Sequence, residues 1–255
     1  MSDALDEAQT FFATHGWCVL RGVIPEAELA PVRAASEALM PDVAVPRADV
    51  GVPLVLRPSL RDSTLARWLA APLPFALAAR VLGAPGVQLL QDALLVKLPH
   101  AQHSLAWHQD ASYFSYLDPL DVVSVRLALG EESVATGCLH VIDGSHLQHR
   151  PTGPAFATAR VEDVSLQGLG EPVPIELQPG DVSLHHCRTL HASFNNRGAV
   201  ARRTLVAHVA SSHCRVVPGR LPAEIAQWFP TDAAGALAGH TFWHLPGGPS
   251  DQADW

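Results

Sequence analysis

Residues 107–113 read Trp107-His108-Gln109-Asp110-Ala111-Ser112-Tyr113. On a strand, alternate side chains share a face, so His108 and Asp110 point the same way and Gln109 is turned aside. The segment is one of eight short apolar runs separated by turn residues, at 87–98, 107–113, 122–130, 138–142, 172–177, 181–186, 190–195 and 202–210. Upstream the texture is helical. A short helix is predicted over 6–13, a strand over Gly16–Gly22, and a helix from Pro25 to Met40 with Leu29, Val32 and Leu39 at helical spacing. Residues 41–62 read as a loop. Ser63 can cap a helix through Leu65, Trp68 and Leu69 that Pro72 and Pro74 interrupt, and a second helical stretch ends near Leu82-Gly83. About eight strands after a helical third suit a sandwich or barrel, mainly β, with α-helices packed on one face. We therefore expect one domain over 1–255, with a helical part at 1–86, a β core at 87–212 and a C-terminal extension at 213–255. Residues 145–170 have no periodicity and resemble a lid or binding loop, and the tail from Thr231 has no assignable structure.

Composition narrows the classes. Hydrophobic residues make up 48% of the 255 and charged residues 16%, enough apolar material for a sizeable core. The net charge of −8, without a basic run, argues against a nucleic-acid partner. Asp3, Asp6 and Glu7 crowd the start, so no secretory signal is expected, and no apolar run reads as long enough for a bilayer. Cys18, Cys138, Cys187 and Cys214 are scattered and suggest reduced thiols in a cytoplasm. Fourteen histidines is roughly double ordinary usage, which raises the question of which few are functional.

His108 and Asp110 would supply two ligands of a facial set, and His191 in Leu190-His191-Ala192-Ser193 is a candidate third. Two histidines and one carboxylate on one face leave three open positions, the arrangement of non-haem iron(II) oxygenases. Alone, an H-x-D pair is a weak signal, and His185, His186 and His208 lie close to His191 in sequence.

The flanking residues are more specific. After Trp107-His108-Gln109-Asp110 and Tyr113 come the aliphatic run Val122 to Leu129 and Gly137-Cys138-Leu139-His140-Val141-Ile142-Asp143-Gly144-Ser145-His146. Pro179-Gly180-Asp181, His191-Ala192-Ser193 and Arg202 follow in order, and Gly16-Trp17-Cys18-Val19-Leu20-Arg21-Gly22 precedes them all. From about residue 8 to about 212 the sequence resembles the phytanoyl-CoA dioxygenase-like family. Two turn positions depart from the family pattern: Thr136 stands where Asn is usual and Asp143 where Pro is usual.

The resemblance implies a double-stranded β-helix of the jelly-roll or cupin-like type and an iron(II)- and 2-oxoglutarate-dependent dioxygenase. Dioxygen would be the second cosubstrate, and ascorbate a reductant for reactivation. It implies His108, Asp110 and His191 as metal ligands and Arg202 on the distal carboxylate of 2-oxoglutarate, where a guanidinium fork suits the group. Ser193 shares the face of His191 and would support the same carboxylate, whereas Arg203 faces away. The expected reaction is hydroxylation of an unactivated C–H bond in a small metabolite or natural-product intermediate.

On the substrate side, Val123, Val125, Leu127 and Leu129 make one face of their strand, and Ser124, Arg126 and Ala128 the other. Arg126 would face the pocket and pair with an anionic substrate group, with a structural ion pair as the alternative. Gln91, Lys97, Tyr113 and His103 are further pocket candidates; Lys97 matches a lysine common in relatives but could equally reach solvent. Two other classes stand beside this one: a cupin-like metal-dependent hydrolase or isomerase, and a non-catalytic small-molecule-binding barrel.

Overall fold

Alternation within the long strands sets the architecture. The computed structural model describes residues 2–43, 52–148, 166, 168–221 and 242–244. Elements follow in the order α1 (Ser2–His15), β1 (Trp17–Leu20), α2 (Glu26–Ala38), β2 (Leu54–Leu56), α3 (Ser63–Ala70), α4 (Pro72–Leu82), β3 (Gly86–Lys97), β4 (Leu105–His108), β5 (Leu117–Asp118) and β6 (Val122–Ala128). Then come β7 (Leu139–Ile142), β8 (Pro172–Ile175), β9 (Val182–His186), β10 (His191–Ser193), β11 (Arg202–Ser211), β12 (Arg215–Val216) and β13 (Phe242–His244). The larger sheet runs β1-β9-β6-β11-β3-β13, with β2 also paired to β3, and the smaller runs β4-β10-β7-β8. Every pairing is antiparallel. The expected β core with helices on one face is present.

In β6, Val123, Val125 and Leu127 join Leu94 and Val96 of β3, Val182 and Leu184 of β9, and Leu205 and Ala207 of β11 in the main core. Leu65, Leu69, Phe75, Leu77 and Ala78 of α3 and α4 cover this face. At about 25 cal/mol per Å² of apolar area, this layer is the main source of stability. The other face of the same strands carries Ser124, Arg126, Ser183, His185, Arg202, Thr204 and His208, and this polar face meets Asp110 in the turn after β4, the Gly137 carbonyl before β7 and Glu132 after β6.

Several expectations need correction. The strand predicted over 107–113 stops at His108, and Asp110 opens a short 3-10 turn, Asp110–Ser112. The pairing of β4 with β10 begins at His108↔His191, and beyond it the Ala111 amide donates to the Cys187 carbonyl at 2.8 Å. The chain thus crosses toward the larger sheet, carrying Asp110 into the space between the two. Asp62, not Ser63, caps α3, accepting from the amides of Thr64 and Leu65. The interruption expected at Pro72 is present: Ala71 before it is extended, α3 ends, and Pro72 starts α4, where its missing N–H costs nothing, while Pro74 lies inside α4 and does not break it. The loop expected at 41–62 contains β2, and the unassigned tail contains β13. Most of the 145–170 loop (149–165 and 167) and most of the tail (222–241 and 245–255) lie outside the described residues.

Residues 63–82 reach the length and apolarity of a membrane span, 20 residues with mean hydropathy 1.3, contrary to the expectation that no run does. The backbone is extended at Ala71 (ψ 148°), which divides the segment into α3 and α4, and both bury side chains in the core. Core helices account for the pattern.

The two departures in family turns have physical replacements. The Asp143 carboxylate accepts from Trp17 Nε1 at 2.9 Å and bonds His15 Nδ1 at 2.8 Å, fastening α1 to the turn after β7. Thr136 Oγ1 accepts from the Ser133 amide at 2.8 Å and closes its own turn. Next to it Gly137 has φ +76°, and a Cβ there would lie 2.4 Å from the Phe194 carbonyl oxygen. Gly137→Ala should therefore lower the unfolding free energy by about 2–3 kcal/mol, read in urea titrations, since backbone on both sides must shift. An unchanged midpoint would mean that the turn yields freely.

Candidate metal centre

Three side chains converge between the sheets. His108 comes from the end of β4, His191 from the paired start of β10, and Asp110 from the turn after β4. One ligand atom from each lies within 4.8 Å of the others, and all three residues are buried. Asp110 Oδ1 is 3.4 Å from His108 Nε2 and 3.6 Å from His191 Nε2. The far nitrogens are already engaged: His108 Nδ1 donates to the Ala106 carbonyl at 2.6 Å and His191 Nδ1 to the Thr189 carbonyl at 2.9 Å. Each ring is then held in the tautomer whose Nε2 lone pair faces Asp110, which is what a metal-binding imidazole needs.

The electrostatics agree with this assignment. Burial, reinforced by His108, holds His191 well below the usual imidazole range, so it is neutral and able to ligate. Burial opposes ionisation of Asp110, but the imidazoles around it, His191 first and then His108 and His185, outweigh it and hold the carboxyl well below its usual range. A buried carboxylate beside two imidazoles fits a divalent transition metal. These donors suit iron(II), and the residues present fit the ion.

Arg202 opens β11 and is 1% exposed. It donates through Nη1 to the Gly137 carbonyl. Its Nε is buried with no hydrogen-bond partner among the described residues and lies 3.9 Å from Glu132 Oε2. A buried guanidinium with an unused donor suits an incoming carboxylate. Ser193 is buried two residues after His191 on β10, on the same side of that strand. Arg203 points the other way and pairs with Glu37 at 2.8 Å.

The remaining candidates divide. Arg126 does face the interior, but it does not wait for an anionic substrate: it sits 3.2 Å from Glu132 Oε2 and donates to Ser183 Oγ at 3.2 Å. Its charge is met inside the protein because a fully buried, uncompensated guanidinium would be too costly. Lys97 does not reach solvent; it is 0% exposed and donates to the Phe194 carbonyl. Burial, with Arg202 beside it, holds its ammonium well below the usual range. Gln91 approaches His208 Nδ1 at 3.4 Å. Tyr113 is 45% exposed at the end of the Asp110 turn, whereas Tyr116 is buried in a second apolar cluster with Phe114 and Leu117. His103 is half-buried in the loop before β4 and takes no part in the hydrogen bonds described above.

Sequence reasoning placed Ser124 on the face of Arg126 without a role, and missed Glu132, Thr204, His185 and His208 as parts of the interior. Glu132 accepts from Thr204 Oγ1 at 2.5 Å as well as meeting Arg126 and Arg202. Parity from Arg202 would have placed Thr204 and His208 on its face; Glu132 lies past the end of β6, where no periodicity points to it. Glu132→Gln leaves Arg126 without its counter-charge and should cost about 3–5 kcal/mol of stability. Adding Arg126→Met should return part of that loss in a double-mutant cycle read by denaturant unfolding; strict additivity would mean that the pair does not interact.

Comparison with known proteins places the geometry. The family model described as phytanoyl-CoA dioxygenase (PhyH) matches residues 12–204. Phytanoyl-CoA dioxygenase 1 of Oryza sativa subsp. japonica is 32% identical over 124 residues, 48% of this chain and 44% of that protein. The match thus spans under half the length of this relative. Among solved structures, the non-heme alpha ketoglutarate dependent carbocyclase SnoK from nogalamycin biosynthesis superposes with TM-score 0.76 at 24% identity, covering 92% of this chain and 94% of its own. The epimerase SnoN, in complex with Fe3+, alpha ketoglutarate and nogalamycin RO, gives TM-score 0.76 at 22% identity, covering 95% and 98%. These two likenesses show the jelly-roll fold. With a family model covering most of its length and the family's H-x-D and distal His drawn together at one buried point, the chain belongs to the phytanoyl-CoA dioxygenase (PhyH) family.

Proposed function

We propose that this protein is an iron(II)- and 2-oxoglutarate-dependent oxygenase that hydroxylates an unactivated C–H bond of a small metabolite or natural-product intermediate. The observation that carries the proposal is the facing of His108 Nε2, His191 Nε2 and Asp110 Oδ1, with both Nδ1 atoms committed to backbone carbonyls. Family membership supports it.

His108, Asp110 and His191 would hold the metal and leave three positions for cosubstrate and oxygen. Ferrous iron held there would, with 2-oxoglutarate and dioxygen, supply the oxidising chemistry, one oxygen atom ending in succinate alongside carbon dioxide and the other in the product. The chain contributes placement. Arg202 would receive the distal carboxylate, its unused Nε donor being part of that grip, with Ser193 beside it. The dry space between the sheets strengthens each of these contacts and keeps water from the reacting groups. A cupin-like hydrolase or isomerase would share the three ligands but has no use for a buried Arg202 with a spare donor. Because Arg126 is spent on Glu132, that side chain does not by itself select an anionic substrate.

Anaerobic addition of iron(II) and 2-oxoglutarate should give the weak visible charge-transfer band of the chelate. His108→Ala, Asp110→Ala or His191→Ala should abolish it. Arg202→Ala should weaken 2-oxoglutarate binding by about 2 kcal/mol or more, roughly 30-fold, because a buried charged contact is lost. Absence of the band in the unmodified protein would favour the hydrolase or the binding barrel. A succinate-release screen over a metabolite panel, with product mass spectrometry, would then identify the substrate.

A further inference from the structure

One row of polar residues crosses the larger sheet directly behind the centre. His208 of β11 is in register with Gln91 of β3 on one side and with Ser124 of β6 on the other, and Ser124 is in register with His185 of β9. Four neighbouring strands thus present Gln91, His208, Ser124 and His185 as one cross-strand rung. Three members converge on a single atom: Asp110 Oδ2 lies 3.0 Å from Ser124 Oγ, 3.3 Å from His185 Nε2 and 3.8 Å from His208 Nε2. The other oxygen, Oδ1, is the one facing His108 and His191.

We infer that His185, with Ser124, is a positioning residue that occupies Oδ2 and makes Asp110 offer the metal one oxygen only. This rests on the iron-centre reading above. An ionised carboxylate has no proton to give, so His185 must donate from Nε2. Its Nδ1 is buried and has no hydrogen-bond partner among the described residues, so the contact with Asp110 is the polar one that orients the ring, which also packs against the His191 ring at 4.5 Å. Gln91 Nε2 reaches His208 Nδ1 at 3.4 Å, which turns the Nε2–H of His208 toward the same oxygen. A carboxylate with both oxygens available can chelate, consuming one of the three positions that a bidentate keto acid and dioxygen require. A donor rung behind Oδ2 prevents that. His185 is not itself in the ligand cluster, which comprises His108, Asp110 and His191.

The test is metal binding to the full chain, with cobalt(II) as a visible-absorbing probe and iron(II) under anaerobic conditions. His185→Phe keeps a ring but loses the donor; its affinity should fall about 10–100-fold, the usual effect of removing a group that orients a ligand, and its cobalt ligand-field bands should shift. His185→Gln can place an amide N–H where Nε2 was and should stay within about 3-fold of the parent by the same reasoning. If His185→Phe does not fold, as judged by circular dichroism melting, Ser124→Ala carries the same expectation with a smaller drop. Parent-like affinity and bands in both His185→Phe and Ser124→Ala would overturn the inference. So would His185→Gln falling as far as His185→Phe, which would make the imidazole a ligand or a packing element. A parent chain that takes up neither metal would remove the oxygenase reading and this inference together, whereas metal uptake with unaffected variants removes this inference alone.

Discussion

The structure is organised around a carboxylate kept out of water. Asp110 is 7% exposed, sits off the end of its strand, and is reached from both sheets. A buried charge must be paired or hydrogen-bonded, and each sheet supplies part of the answer: His108 and His191 on one side, Ser124, His185 and His208 on the other. The sheets are thus joined through a site rather than through apolar side chains alone. The main apolar layer lies instead on the outer face of the larger sheet, under α3 and α4. This division lets the interior remain polar without loss of a core.

A second set of charges occupies the end of the interior marked by the first residue of β11. Glu132 accepts from Thr204 and lies against Arg126 and Arg202, with buried Lys97 interacting with the same groups. One carboxylate among two guanidiniums and an amine leaves an excess of positive charge even when Lys97 is neutral. Such an excess, sealed from water, favours an anionic guest over a neutral one. The same end would therefore attract the free carboxylate of a dicarboxylate whose other end reached His108, Asp110 and His191.

Much of this was legible in the chain. The three ligands could be named from His108, Asp110 and the later His191 because their spacing sits inside longer motifs, and strand parity correctly separated Arg202 from Arg203. Parity gave the right result for Asp110 for the wrong reason, since a turn and not a continuing strand brings it beside His108. What could not be read was cross-strand register. Ser124, His185 and His208 are far apart in sequence, and only the pairing of β9, β6 and β11 places them in one row. Parity placed Arg126 facing inward, and between a substrate anion and an ion pair the structure shows the ion pair; its partner could not be read because Glu132 follows β6 in a loop with no periodic signal.

The rung behind Asp110 has a further consequence for redesign of the centre. Shortening Asp110 to glycine would delete the acceptor but leave the Ser124 hydroxyl and the ring N–H groups of His185 and His208 aimed at the vacated space. Convergent donors in a dry cavity beside a divalent cation form a receptor for a small anion. In the native protein the fold answers these three converging donors with one of its own side chains, so the aspartate serves both sheets at once.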